Sequence, residues 1–337
     1  MQISQINQQS QISTPLQKPH FTRYSKVSCD TVSFKGHLGA ETIVKNGSKL
    51  VLKHETALFR DLETKKFVKE YILKNLSDKP NIKMVVGACS SGEEAFSYSM
   101  LLDSLKSKLS IIGFDLSEKS IAEAKSGKIL MQATKGSPDE YVSLYTSFDK
   151  ESFLCFDTKI PLNIEQIEQK RLFDEFFETT SKVCQEKVPL SYKIQRWIFA
   201  KFFNRRLPIF INREAKIKDG KFGNCSFKVG DILNLKDVTG GEKADVITFS
   251  NAMYHLTTND IANGMLRAPK ENSEEIVRKI AINVKQNLNP NGIFVLGENE
   301  VSQMMDSTTV PKIFKELGFE PLNRTEKHFE NVWKLIV

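Results

Sequence analysis

Between Lys83 and Lys128 the chain reads KMVVGACSSGEEAFSYSMLLDSLKSKLSIIGFDLSEKSIAEAKSGK, and few folds accommodate that order of residues. An apolar strand, Met84-Val85-Val86, runs straight into a turn flanked by Gly87 and Gly92. A helical pattern follows, then a second strand, Ile111 to Phe114, ending on Asp115. Strand, glycine turn, helix, strand and acidic residue is the arrangement that holds a nucleoside-containing cofactor at the carboxyl ends of parallel strands. The turn is not GxGxxG; it carries Glu93 and Glu94 at the start of the helix. Carboxylates there repel a pyrophosphate and suit a cationic group, such as the amino group of S-adenosylmethionine (SAM).

The rest of the chain continues the alternation. Helical spacing of Phe59, Leu62, Phe67, Val68, Tyr71 and Ile72 predicts a helix over about 61–75. After Gly127 the strand-helix rhythm stops and resumes at Phe227-Lys228-Val229. Structureless loops of that length are rare in compact domains, so the interval is read as an inserted subdomain with helical patterns at about 161–179 and 191–204. Then come strands at 227–229 and 246–249, a helix at about 273–288, the turn Asn289-Pro290-Asn291-Gly292, a strand at 293–297, a helix at about 311–317 and a last strand at 332–337. In the turn, proline fixes one angle and glycine permits a positive one. The expectation is an α/β, doubly wound, mostly parallel sheet, Rossmann-like, with an inserted helical subdomain. Its divisions are 1–48, polar and loosely attached or disordered; 49–80, helical; 81–130 and 225–337, the two halves of the sheet domain; and 131–224, the insert.

Three segments, in this order, carry a family resemblance. GACSSGEEAFSYSMLL followed by GFDLSEKSIAEAKSG resembles the CheR-type chemotaxis methyltransferases, whose equivalents read roughly GCSTGEEPYSxAM and TDIDxxxLxxAxxG. Glu55 to Asp61 is similar to the family's TxFFRD, and Ala244 to Asn251 to its FDxIFCRN strand. The resemblance implies a class I, SAM-dependent protein-glutamate O-methyltransferase. It implies that Thr56 and Arg60 touch SAM, that Arg60 also assists catalysis, and that Glu94 holds the SAM amino group. Asp231 and Ile232 take the place of the family's Asn-Leu pair at the adenine, and Ser250 and Asn251 that of its Arg-Asn. The family's tyrosine falls on His255, with Tyr254 one residue earlier. His54 stands where the family often has asparagine.

Each residue also has a plainer role open to it. Gly87 and Gly92 allow close approach of SAM, or simply make a tight turn. Glu93 and Glu94 also compensate a helix dipole. Asp115 accepts ribose hydroxyls or caps the next helix, although Ser117 is the better-placed cap. Asp231 is a ligand or a turn residue after Gly230, and Arg60 a ligand or a surface arginine. Tyr254 and His255 line an acceptor pocket or pack after the strand.

Five cysteines with no CxxC pair argue against a disulfide framework or zinc site and for a reducing cytoplasm, and no metal site is expected. No apolar run long enough to span a membrane is present, and the Gln/Ser-rich start is no secretory signal. The excess positive charge gathers between Tyr192 and Lys221, interleaved with aromatics such as Trp197, Phe202 and Phe203. That segment suits an acidic protein substrate, a membrane surface or a nucleic acid, or is a solvated helix face. A second basic cluster, Lys65, Lys66 and Lys69, follows Arg60 and is expected to steer a partner. Two rivals to glutamate methylation stand: a class I methyltransferase with a small-molecule or nucleic-acid acceptor, and a non-catalytic SAM-binding sensor.

Overall fold

A computed structural model describes residues 40–45, 48–53, 58–134, 164–184, 194, 197, 201, 210–261, 266–297, 309–322 and 330–336. Strands β1 (Ala40–Lys45) and β2 (Ser48–Lys53) form an antiparallel hairpin where the sequence pointed to a helical pattern from about Leu50. The expected disorder of the N-terminus falls, up to residue 39, outside the described residues.

Helix α1 (Leu62–Asn75) leads into the main sheet. The sheet contains β3 (Ile82–Gly87), β4 (Leu109–Asp115), β8 (Cys225–Val229), β9 (Ala244–Phe249), β12 (Leu288–Leu296), β13 (Phe319–Pro321) and β14 (Val332–Leu335). Its order is β13-β14-β12-β9-β3-β4-β8. All neighbours from β12 to β8 are parallel, and β14 runs antiparallel to both β12 and β13. The chain winds outward from β3 through β4 to β8, then returns to the other side of β3 with β9 and β12. The order therefore reverses between β3 and β9, and the carboxyl ends of those strands frame the crevice where doubly wound sheets take ligands.

The inner strands β3, β4, β9 and the second half of β12 are buried on both faces, as parallel strands covered on both sides must be. Side chains alternate between two cores. Met84, Val86, Ile111, Val246, Ile293 and Val295 enter one, while Val85, Ile112, Ile247, Phe294 and Leu296 enter the other. The first core is closed by α1, α2 (Glu93–Leu101) and α3 (Glu118–Ser126) through Val68, Ile72, Phe96, Tyr98 and Ile121. The second is closed by α5 (Leu235–Thr239), α6 (Met253–Thr257), α7 (Ser273–Asn287) and α8 (Thr309–Glu316). In α7 the buried residues Val277, Ile280, Ala281 and Val284 follow helical spacing, so one stripe faces the sheet. In the turn before the parallel part of β12 the left-handed residue is Asn291, at φ 60°, rather than the expected Gly292.

The insert corrects an expectation. Its described residues hold helix α4 (Ile164–Phe176), close to the predicted first helix, but also a three-stranded antiparallel sheet. Strands β5 (Lys128–Thr134) and β6 (Phe177–Cys184) flank β7 (Phe210–Ile217). The subdomain is thus not simply helical. Its strands pair across long stretches of chain, so no local hairpin signal marked them. Aromatic contacts seat it on the main core: Phe96 lies 4.8 Å from Phe222 and 6.1 Å from Phe177, whose ring stacks on Phe173 at 5.0 Å. A further hairpin, β10 (Thr258–Ile261) with β11 (Leu266–Pro269), follows α6.

Candidate cofactor site

The turn between β3 and α2 is wound through three left-handed residues, Ala88 at φ 52°, Ser90 at φ 48° and Gly92 at φ 97°. Its shape is fixed by N–H donation from Cys89 to the Phe114 carbonyl and from Gly92 to the Cys89 carbonyl. Both glycines are required by the protein itself. A side chain on Gly92 would meet Phe96 and Phe227 as well as its positive φ, and one on Gly87 would meet Phe114 and Phe249 from the two neighbouring strands. Close approach of a ligand is not what demands glycine at either position.

Asp115 ends β4 and is 9% exposed. One carboxylate oxygen accepts the Ser90 N–H at 2.9 Å and the other the Ser117 N–H at 3.0 Å. Ser117, not Asp115, is the N-cap of α3, accepting the Ser120 N–H at 3.1 Å. A carboxylate offers two lone pairs on each oxygen. The Asp115 carbonyl takes the Gly230 N–H, which draws the end of β8 alongside. There Asp231 caps a short 3-10 turn, accepting the Leu233 N–H at 3.0 Å, while Ile232 is buried.

The two glutamates diverge. Glu93 is buried, with the Ser91 hydroxyl 2.9 Å from both of its oxygens. Glu94 reaches across the switch point to β9: its Oε1 accepts the Thr248 hydroxyl at 3.0 Å and the Ser250 hydroxyl at 2.9 Å, and Oε2 accepts from neither. Ser250 therefore orients Glu94. Thr248 was not singled out in the sequence, yet a hydroxyl in the wholly buried strand Ala244–Phe249 is a visible signal of a polar task.

Asn251 closes β9 in a left-handed conformation, φ 56°, packed on Gly297. Its amide donates to Asp61 at 2.8 Å. Asp61 is left-handed too, φ 52°, as is Phe59, whose N–H donates to the Ser97 hydroxyl at 2.8 Å. These bonds bring the segment holding Arg60, which is half-buried, against the ends of β9 and α2. Thr56 and His54 lie outside the described residues. Tyr254 is 4% exposed in the second core, while His255 is half-buried, and their rings lie 4.1 Å apart.

The expected basic face of α1 is altered. Lys65 is 2% exposed, with its ammonium on the Arg60 carbonyl at 2.6 Å and 5.2 Å from the Tyr98 ring centroid. It braces the Arg60 turn from inside and cannot steer a partner. Its spacing from Val68 and Ile72, three and seven residues on, was the signal that it shares their apolar side.

Anionic and acceptor groups dominate this end of the sheet. Burial raises the Cys89 thiol well above its ordinary value, and Asp115, Glu93 and Glu94 push it further the same way. Burial, then Glu94 and Asp61, does the same to Tyr98. Among the described residues, the Ser90 hydroxyl and the Asn251 side-chain oxygen Oδ1 are buried without a hydrogen-bond partner. Unsatisfied buried polar atoms are costly, and these border the loop and the β9 end. The set fits a ligand bringing a cationic amine and hydroxyl donors.

Comparison with known proteins agrees. The CheR methyltransferase SAM-binding domain matches residues 54–177, which include β3, the glutamate turn, α2 and β4. The match is to a SAM-binding domain, and SAM is the cofactor it indicates. No curated protein matches the chain. Among solved structures, the CurJ carbon methyltransferase is similar at 13% identity and TM-score 0.40, covering 82% of this chain and 54% of its own. This chain thus spans about half the length of that relative. The rRNA methyltransferase AviRa from Streptomyces viridochromogenes shares 11% identity at TM-score 0.40, covering 83% of this chain and 86% of its own. A TehB-like SAM-dependent methyltransferase from Corynebacterium glutamicum shares 11% identity at TM-score 0.34, covering 79% and 84%. Among the described residues no helix is long and apolar enough to cross a membrane.

Proposed function

We propose that this protein transfers a methyl group from SAM to a side-chain carboxylate of a protein, forming a glutamate methyl ester. The observation that carries this reading is the CheR domain match over a turn whose Glu94 spans the switch point of the sheet. When bound, SAM supplies a methyl group already activated by its sulfonium. Glu94 Oε2 and the Asn251 side-chain Oδ1 would accept from the cofactor's ammonium end, and Asp115 would accept from ribose hydroxyls. Asp231 receives the adenine amine at the end of β8. Arg60 holds a carboxylate through its forked donors. An acceptor carboxylate is ionised at neutral pH, so the protein has only to hold it in line, and no general base is required.

The test is incubation with methyl-labelled SAM and an acidic protein, followed by mild alkali. Release of volatile methanol supports an ester; label that survives alkali points to nitrogen or carbon methylation and overturns the carboxylate reading. The burial of Tyr254 favours one second reading, a SAM-binding sensor, because it removes a candidate ring from the acceptor side. SAM binding with no label transferred to any acceptor would select it.

A further inference from the structure

The insert carries an exposed apolar surface within a basic stretch of sequence. Ile194, Trp197 and Lys201 are helical residues spaced three and four apart, so they share one face. Ile194 is 49% exposed and Trp197 57% exposed, two of the largest apolar exposures among the described residues. The Lys201 ammonium sits 4.7 Å from the Trp197 ring centroid, at the edge of the same patch. The sequence around them is one-sided in charge. From Lys187 through Lys193, Arg196, Arg205 and Arg206 to Arg213 there is neither aspartate nor glutamate. Apolar residues are interleaved: Trp197-Ile198-Phe199-Ala200, then Phe202-Phe203.

We infer that this face docks on an anionic lipid surface, with Trp197 and Ile194 entering the headgroup boundary, Lys201 beside them, and the positive charge of the surrounding sequence attracting acidic headgroups. The combination selects lipid over its competitors. An acidic protein needs the charge but gains little from an exposed isoleucine and tryptophan. A nucleic acid would stack on Trp197 but has no use for Ile194 beside it. A bilayer interface takes both: basic side chains near its surface and a tryptophan at headgroup depth are what interfacial segments bring. Such a segment lies on the membrane without spanning it. The inference stands independently of the methyl acceptor.

Tryptophan emission tests it, because the chain has two tryptophans and Trp333 is fully buried. The full-length protein is mixed with phosphatidylcholine vesicles, with phosphatidylserine-containing vesicles, with single-stranded RNA and with polyglutamate. Emission and co-sedimentation are followed together. The expected result is a blue shift and sedimentation with phosphatidylserine vesicles only, both suppressed by salt. Arg205→Glu with Arg206→Glu lowers vesicle partition about thirtyfold or more, at roughly fivefold per basic residue lost. Trp197→Phe keeps most of the sedimentation and abolishes the shift, which assigns the signal to that residue even if Trp197→Ala folds poorly. The inference is overturned by no binding to phosphatidylserine vesicles, by equal binding to both lipids, by a blue shift that persists in Trp197→Phe, or by binding of RNA or polyglutamate while vesicles stay unbound.

Discussion

Replacing Gly87 with alanine separates two explanations of the glycine turn. The new Cβ would lie 2.7 Å from Phe114 Cζ, 2.9 Å from Phe249 Cδ2 and 3.0 Å from Phe114 Cε1. Carbon atoms in good contact sit about 3.5–4.0 Å apart, so all three approaches are repulsive. Gly87 is in register with Phe114 on one side and Phe249 on the other. Those rings are 1% and 4% exposed, so neither can swing into solvent. Overpacking of this kind costs about 1–3 kcal/mol, and about 2–4 °C of Tm is lost per kcal/mol in a domain of this size class. Gly87→Ala should therefore lower the Tm of the ligand-free protein by several degrees, read by far-ultraviolet circular dichroism. A ligand-free Tm equal to wild type, with only SAM affinity reduced, would refute the packing argument and return the glycine to the cofactor.

Two further outcomes follow from the geometry. Asp61→Ala removes a partly buried, charge-assisted bond to Asn251 worth about 1.5–3 kcal/mol. It should cut turnover at saturating SAM, with Asp61→Asn recovering part of the loss; equal activity of wild type and Asp61→Ala would detach that pair from the site. Burial raises Cys89 and pushes Cys225 up to about 12 from an ordinary 9.0, so both thiols stay protonated in the folded state after they have ionised in the unfolded one. The unfolded chain then binds fewer protons, and stability falls as pH rises from about 9 toward 12. Thermal melts across that range should show the fall, and Cys225→Ala should flatten it; a wild-type Tm constant to pH 11 would contradict the assignment.

The site's core was legible because its signals are local. Strand, turn, helix and Asp115 lie within one continuous segment, and the acidic pair at the helix start points to a cationic ligand. What the sequence could not convey was which residues meet across the fold. Asp61 bonds Asn251 from 190 positions away. Gly87 is constrained by Phe114 and Phe249, which belong to other strands. The insert's β7, FINREAKI, alternates polar and apolar residues only over its last four positions, Glu214 to Ile217, too short a signal to mark a strand. Its partners β5 and β6 are far along the chain, and the aromatic run before it drew the reading toward helix. Lys65 differs from its sequence expectation for another reason. Its charge points outward while its helical spacing points inward, and a long side chain can bury its stem and set its ammonium on a carbonyl.

The central claim is that Glu94, in the first turn of α2, and Asp115, at the end of β4, hold SAM. Calorimetric titration of SAM and S-adenosylhomocysteine into the purified protein tests it most directly. The account predicts saturable binding of both ligands, weakened by about 1.5–3 kcal/mol in Asp115→Ala through loss of bonds to a charged acceptor. It predicts that Glu94→Gln weakens SAM as well, because the acceptor for its ammonium is neutralised. Folded protein that gives no binding heat at sub-millimolar ligand, or variants that bind as tightly as wild type, would contradict it.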